Sequence, residues 1–136
     1  MTTNPAAEAE VKAVLEAWTA ATRENRRDDI LRNHADDLVI FDVLLPLRYD
    51  SAAAYRAGWD DWQPDTRGGM VFELEDLRIH AGSDVAFTYG NLRCGGTLAD
   101  GRTFSDLVRA TFCLCRRDGR WVIQHQHVSK PFGRAG

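Results

Sequence analysis

Apolar positions recur along this chain with two different periods, and the change from one to the other divides it. Between Pro5 and Arg23, residues Val11, Val14, Leu15, Trp18 and Thr22 fall at i, i+3, i+4, i+7 and i+11, a single stripe that predicts an amphipathic helix. Thr3 or Asn4 can cap its start, and Pro5 suits its first position. A second short helix is expected over Asp28 to His34, followed by Ala35-Asp36-Asp37 and a strand from Leu38 to Val43. After Pro46, Asp50 or Ser51 can cap a third helix from Ala52 to about Trp62, in which Tyr55, Trp59 and Trp62 share one face. Gln63 to Gly69 is polar, contains Pro64 and two glycines, and reads as a loop and a candidate lid.

From Met70 onward the period is that of strands. Four are expected, Met70 to His80, Asp84 to Cys94, Thr103 to Cys115 and Arg120 to Val128, punctuated by Gly82-Ser83, Gly95-Gly96 and Asp100-Gly101. The last two form a long antiparallel hairpin around Arg117-Asp118-Gly119. Helices first and a meander afterwards is the α+β pattern: two to three N-terminal helices packed on a strongly curved, mainly antiparallel sheet.

The register of that hairpin decides which polar side chains meet. A three-residue loop with Gly119 as a bulge pairs Arg116 with Arg120, sets Arg109 opposite His127 and sets Thr111 opposite His125. A two-residue Asp-Gly turn shifts the pairing by one and sends them to opposite faces. The bulged loop is preferred because it gathers Arg109, Thr111, His125 and His127. The histidines could equally be hydrogen-bonded residues at a dimer interface.

Composition narrows the classes. With 136 residues and no linker-like stretch, one domain over 1–136 is expected. The net charge is −3 and the 17 basic residues are scattered, so no stripe tracks phosphates and nucleic acid is not an expected partner. The apolar runs are too short for a membrane span, and the polar, acidic start is unlike a signal peptide, which points to the cytoplasm. Three cysteines, an odd number, argue against a disulfide framework. Cys113-x-Cys115 and His125-x-His127 would spread over a sheet face rather than close on a metal, so no metal or other cofactor is expected.

Asp42 is the candidate for chemistry. It stands inside IFDVLL, where its carboxylate either escapes at a strand end or faces an apolar interior that raises its pKa and makes it a usable base. Trp18 is either core or cavity wall. The Tyr55, Trp59 and Trp62 stripe carries the same alternatives, with polar handles suited to a half-wet pocket wall.

The order ADDLVIFD, PLRYDS, AAAYRAGW and then four long strands ending in DGRWVIQHQHVSKPF resembles the nuclear transport factor 2-like superfamily, in its SnoaL-like and ketosteroid isomerase-like branch, over about residues 7 to 132. The resemblance implies a cystatin-like cone with one conical pocket. ADDLVIFD is similar to the ADD-x-x-x-x-D segment of ketosteroid isomerase, which would make Asp42 the proton-shuttling base. That enzyme's first-helix tyrosine is replaced by Trp18 or a neighbour, and its neutral carboxylic acid falls near Thr111, so both oxyanion-hole donors are missing. The ending GRWVIQHQHVS is similar to that of the calcium/calmodulin-dependent kinase II association domain, which marks a branch and not a reaction.

The expected function is a cofactor-independent acid–base enzyme of isomerase, dehydratase or cyclase type, acting on a small apolar carbonyl or polyketide-like substrate. Asp42, Arg109 and His127 would be catalytic, with Trp18, Tyr55, Trp59, Trp62, Thr111 and His125 against the substrate. The alternative is a non-catalytic ligand-binding or oligomerisation domain of the same fold. A homodimer is expected because no helix is left to cover the outer face of the sheet.

Overall fold

Asn4 is extended, and its side-chain oxygen accepts the Ala7 N–H at 3.1 Å; Pro5 then opens the helix at a position where a missing N–H costs nothing. From that start the computed structural model, which describes residues 4–59 and 70–133, runs α1 through Pro5–Arg23. Of the expected stripe, Val11, Leu15 and Trp18 are in the core and Val14 and Thr22 are half-buried. There follow α2 (Arg27–Ile30), β1 (His34–Phe41), α3 (Ala52–Ala57), β2 (Val71–Ala81), β3 (Val85–Thr97), β4 (Thr103–Arg117) and β5 (Arg120–Ser129). The strands form one open sheet in the order β1-β5-β4-β3-β2, antiparallel except where β1 runs parallel to β5. α1 packs on β2 and β5, and α3 on β1, so helices and sheet make the expected α+β arrangement.

Several boundaries differ from expectation: β1 ends at Phe41 instead of Val43, which leaves Asp42 just outside it, and β3 and β4 run on to Thr97 and Arg117. The second helix is a single turn, and β1 begins at His34 instead of Leu38, because the Ile123 N–H donates to the Asn33 carbonyl at 2.8 Å and His34 pairs with Ile123. The register then jumps before Val39, which leaves Asp36 and Asp37 exposed in an irregular stretch of an edge strand, where carboxylates are tolerated. α3 ends at Ala57; Trp62 and the Gln63 to Gly69 loop lie outside the described residues.

The hairpin corrects the preferred register. Arg117 pairs with Arg120 and Arg116 with Trp121, leaving a two-residue turn in which Asp118 (φ 51°) and Gly119 (φ 76°) both adopt the left-handed backbone such a turn needs. The three-residue loop is excluded. A second irregularity follows, because Gln124 bulges between the Leu114–Ile123 and Cys113–His125 pairs. Beyond it Thr111 pairs with His127 and Arg109 with Ser129. The bulge undoes the face change made by the tight turn, so Arg109, Thr111, His125 and His127 do share one face, with partners different from those expected.

Burial says which face. In β4, Val108, Ala110, Phe112 and Leu114 are buried, whereas Arg109 and Thr111 are exposed. Phe112 meets the edge of Trp18 at 5.1 Å between ring centroids, so the first set faces α1 and forms the inner face. The second set is on the outer face.

A buried polar pair sits within the inner layer. His34 Nε2 and Gln126 Oε1 are 3.1 Å apart and both residues are buried. Burial pushes the imidazole pKa down to about 4, against a smaller upward pull from Gln126. Because the unfolded chain, with a value near 6.5, takes up this proton more readily, the contribution of His34 to stability is complete above that value and falls as pH drops toward about 4. The loss should reach roughly 3 kcal/mol. In urea unfolding between pH 7 and pH 4, His34→Gln should flatten this part of the stability curve; an unchanged slope would show that other groups set it.

Candidate functional site

Leu38 and Ile40 are fully buried on the inner face, and Asp42 follows them in the same alternation just past the end of β1. Its Oδ1 accepts the Val43 N–H at 2.7 Å, which turns the chain out into an exposed loop. The loop is clamped at its neck, where Ile40 and Tyr49 exchange backbone hydrogen bonds of 3.0 Å in both directions. This clamp carries Tyr49 into the core. There its ring meets Tyr55 edge-on at 5.2 Å, and Tyr55 in turn meets Trp59 at 5.7 Å.

The electrostatics of this corner are set by desolvation. Burial raises the pKa of Asp42 above the ordinary carboxylate value, opposed by the Val43 N–H. Burial, and then the nearby Asp42 charge, lift the Tyr55 phenol above its usual range, while a side-chain hydrogen bond with Trp59 pulls the other way. On β3 the inner residue Cys94 is pushed up to about 11 by burial, then by Asp106 and Asp42. At neutral pH, Asp42 therefore has an un-ionised phenol and an un-ionised thiol for neighbours. Asp106, opposite Cys94 in the β3–β4 ladder, is held by Lys130 at 2.9 Å.

The aromatic candidates are placed unequally. Trp18 is wedged edge-on between Phe72 and Phe112, at 5.0 and 5.1 Å. Trp59 is 1% exposed, with the Arg27 and Arg56 guanidinium groups over its ring at 5.3 and 5.6 Å. Both are packed wall with little open surface. A crevice lined by residues including Trp18, Asp29, Arg32 and His34 shares Trp18 with these candidates but does not include Asp42.

Arg109, Thr111, His125 and His127 are not brought to Asp42. They lie on the outer face, where the tight turn and the Gln124 bulge send them. The His125 imidazole Nδ1 is 2.6 Å from the Val39 carbonyl, and the Phe41 ring meets both histidines edge-on, at 4.8 and 5.3 Å. Farther across the same face His80, Phe87 and Tyr89 stand nearly parallel, and Val85, Phe87, Tyr89 and Leu107 remain exposed. Among the described residues, no three His, Cys, Asp or Glu side chains converge as a metal site would require, and no helix is long and apolar enough to cross a membrane.

Cys94 and Tyr49 were not singled out from the sequence. Cys94 could have been found by carrying the alternation of Ala86, Thr88 and Leu92 forward along β3, which puts it on the inner face. Tyr49 gives no local signal, because only its bridge to Ile40 brings it in.

Residues 11–133 match the family model of the SnoaL-like domain. The chain belongs to this family. A solved structure of an NTF2-like protein of unknown function from Pseudomonas putida KT2440 is similar to this SnoaL-like domain at 34% identity and a TM-score of 0.86, over 98% of this chain and 93% of that one. A ketosteroid isomerase-like protein from Erwinia carotovora atroseptica shares the fold at 17% identity and a TM-score of 0.75, covering 93% and 97% of the two chains. An NTF2-like protein with a cystatin-like fold from Novosphingobium aromaticivorans does so at 14% and 0.76, over 95% and 84%. No curated protein matches.

The raised pKa of Asp42 has a consequence for stability with a definite sign. The fold favours the protonated acid, so stability falls as pH rises from the ordinary carboxylate range through the folded value, and ionised Asp42 is a net cost at neutral pH. Asp42→Asn, whose amide oxygen can still accept the Val43 N–H, should raise the urea midpoint at pH 7, and this gain should vanish near pH 3. Carbon-detected NMR should show Asp42 titrating above the ordinary ~3.9; titration at that value with no stability gain would place the carboxylate in water.

Proposed function

We propose that this SnoaL-like domain is a cofactor-independent acid–base enzyme of the isomerase, dehydratase or cyclase type, acting on a small apolar carbonyl compound. The observation that carries the reading is the desolvated Asp42 carboxylate on the inner face, with un-ionised Tyr55 and Cys94 beside it. Asp42 removes a proton α to a carbonyl, and the C–H electron pair moves onto the carbonyl oxygen to give an enolate. The Tyr55 O–H, with the weaker Cys94 S–H, donates to that oxygen, replacing the Arg109 and His127 pair expected from the sequence. Protonated Asp42 then returns the proton at another carbon, or gives it to a β-hydroxyl that the enolate expels as water, or to the alkoxide formed when the enolate attacks a second carbonyl. Such a base and donor contribute most where water is excluded, and the buried aromatic rings around Tyr55 support that condition.

The outer face has a separate role in this reading. Its stacked His80, Phe87 and Tyr89 rings and exposed Val85 and Leu107 suit a second copy of the chain, so the protein works as a homodimer with Arg109, Thr111, His125 and His127 toward the interface. Sedimentation at micromolar concentration should give a dimer, and a stable monomer would contradict this assignment.

Deuterium uptake at the α-carbon of a small aryl ketone such as 2-tetralone tests the chemistry directly. Asp42→Asn should lower the rate about 10³-fold, and Tyr55→Phe about 10²-fold, whereas Arg109→Ala should leave it near wild type while the dimer is intact. Undiminished exchange in Asp42→Asn would leave a binding or oligomerisation domain as the remaining reading.

A further inference from the structure

Trp59 is the largest fully buried side chain among the described residues, yet it takes no part in the proton transfer from Asp42. Packing accounts for its ring. It does not account for the indole N–H, which is costly to bury without an acceptor. That N–H has one, because Trp59 makes a side-chain hydrogen bond with Tyr55. An indole nitrogen only donates, so the direction is fixed: Trp59 Nε1–H to the Tyr55 phenol oxygen. The hydrogen of the Tyr55 O–H is not used in this bond.

The pair is held on several sides. Trp59 lies one turn beyond Tyr55, just past the end of α3, and the two rings meet edge-on at 5.7 Å. Between them Gly58 closes the helix, its N–H on the Tyr55 carbonyl at 3.1 Å. A Cβ at Gly58 would come to 3.0 Å from the Tyr49 hydroxyl, so this turn is packed directly on Tyr49, whose ring also meets that of Tyr55. Over the indole stand the Arg27 and Arg56 guanidinium groups, at 5.3 and 5.6 Å from its centroid. Arg56 is tethered there by the Arg27 carbonyl at 3.2 Å and by Asp28 at 2.6 Å. Cations over the face of a ring draw on its electrons and strengthen its N–H as a donor.

We propose that Trp59 is the positioning residue of this site: its indole N–H, strengthened by Arg27 and Arg56, orients the Tyr55 phenol and makes its O–H a stronger donor to a substrate oxyanion. The inference rests on the enzymatic reading of Asp42 and Tyr55. Trp59 acts through Tyr55 and does not touch the substrate. Burial and the Asp42 charge both make the phenol a poorer acid, and the hydrogen bond from Trp59 works against them. As negative charge grows on the enolate oxygen, the phenol shares more of its hydrogen, and the indole N–H takes up the charge left on the phenol oxygen. This response is larger in the transition state than in the substrate complex, so it belongs to turnover and not to binding.

The indole N–H resonance tests the contact without any substrate. Tyr55→Phe should move the Trp59 resonance upfield, and Arg56→Met, at an exposed position, should move it the same way by less. Deuterium uptake by 2-tetralone tests the role. Trp59→Phe keeps an aromatic ring and deletes the N–H; it should lower kcat about tenfold, as loss of one ordinary hydrogen bond does, with KM little changed. Arg56→Met should lower kcat roughly twofold, and it decides the matter if Trp59→Phe does not fold. An indole resonance indifferent to Tyr55→Phe overturns the proposal. So does a wild-type kcat in Trp59→Phe, or in Arg56→Met where that variant decides; a raised KM at unchanged kcat would make Trp59 a packing residue. Undiminished exchange in Asp42→Asn instead removes the enzymatic reading, and the positioning role falls with it whatever the resonance shows.

Discussion

The positions of two irregularities in one hairpin govern the rest of this molecule. The two-residue turn at Asp118-Gly119 sets the pairing of β4 and β5 next to the turn, and the Gln124 bulge shifts it by one residue farther along. Because side chains alternate across a sheet, these two choices fix that Phe112, Ala110 and Val108 meet α1 while Thr111, Arg109 and His127 do not. A single shift would send either Arg109 on β4 or His125 and His127 on β5 into the apolar layer, where polar groups without partners are costly. Hydrophobic burial therefore selects the register, and the polar residues take the face left to them.

On the inner face the same low-dielectric surroundings produce opposite effects on different groups. His34 is held neutral at the cost of acid stability, whereas Asp42, Tyr55 and Cys94 are held toward their protonated forms. A carboxylate desolvated in this way is a stronger base, and un-ionised O–H and S–H groups can donate hydrogen bonds without carrying charge. The site is thus built from desolvation more than from ion pairs; the Asp106–Lys130 pair lies beside it, half exposed. The outer face has the reverse character, with polar and aromatic side chains that remain accessible and a sheet edge running directly into the apolar loop after Asp42.

The sequence by itself determined the element types and their order, since periodicity, the Asn4 and Ser51 caps and the glycine-marked turns are local properties that act over a few residues. It also determined the family, through segments such as ADDLVIFD and GRWVIQHQHVS, and it marked Asp42 as anomalous, because one carboxylate among five apolar neighbours is visible without a structure. What only the tertiary structure decided was which side chains meet. Register depends on a bulge with no distinctive residue type, and Gln124 looks like any other strand residue. The groups that feel the Asp42 charge come from elements distant in the chain: Tyr55 from α3 and Cys94 from β3, both held un-ionised chiefly by burial. Spacing along the chain could collect Arg109, Thr111, His125 and His127 on one face, but inside and outside differ only in what packs against that face, and this is a property of the whole fold.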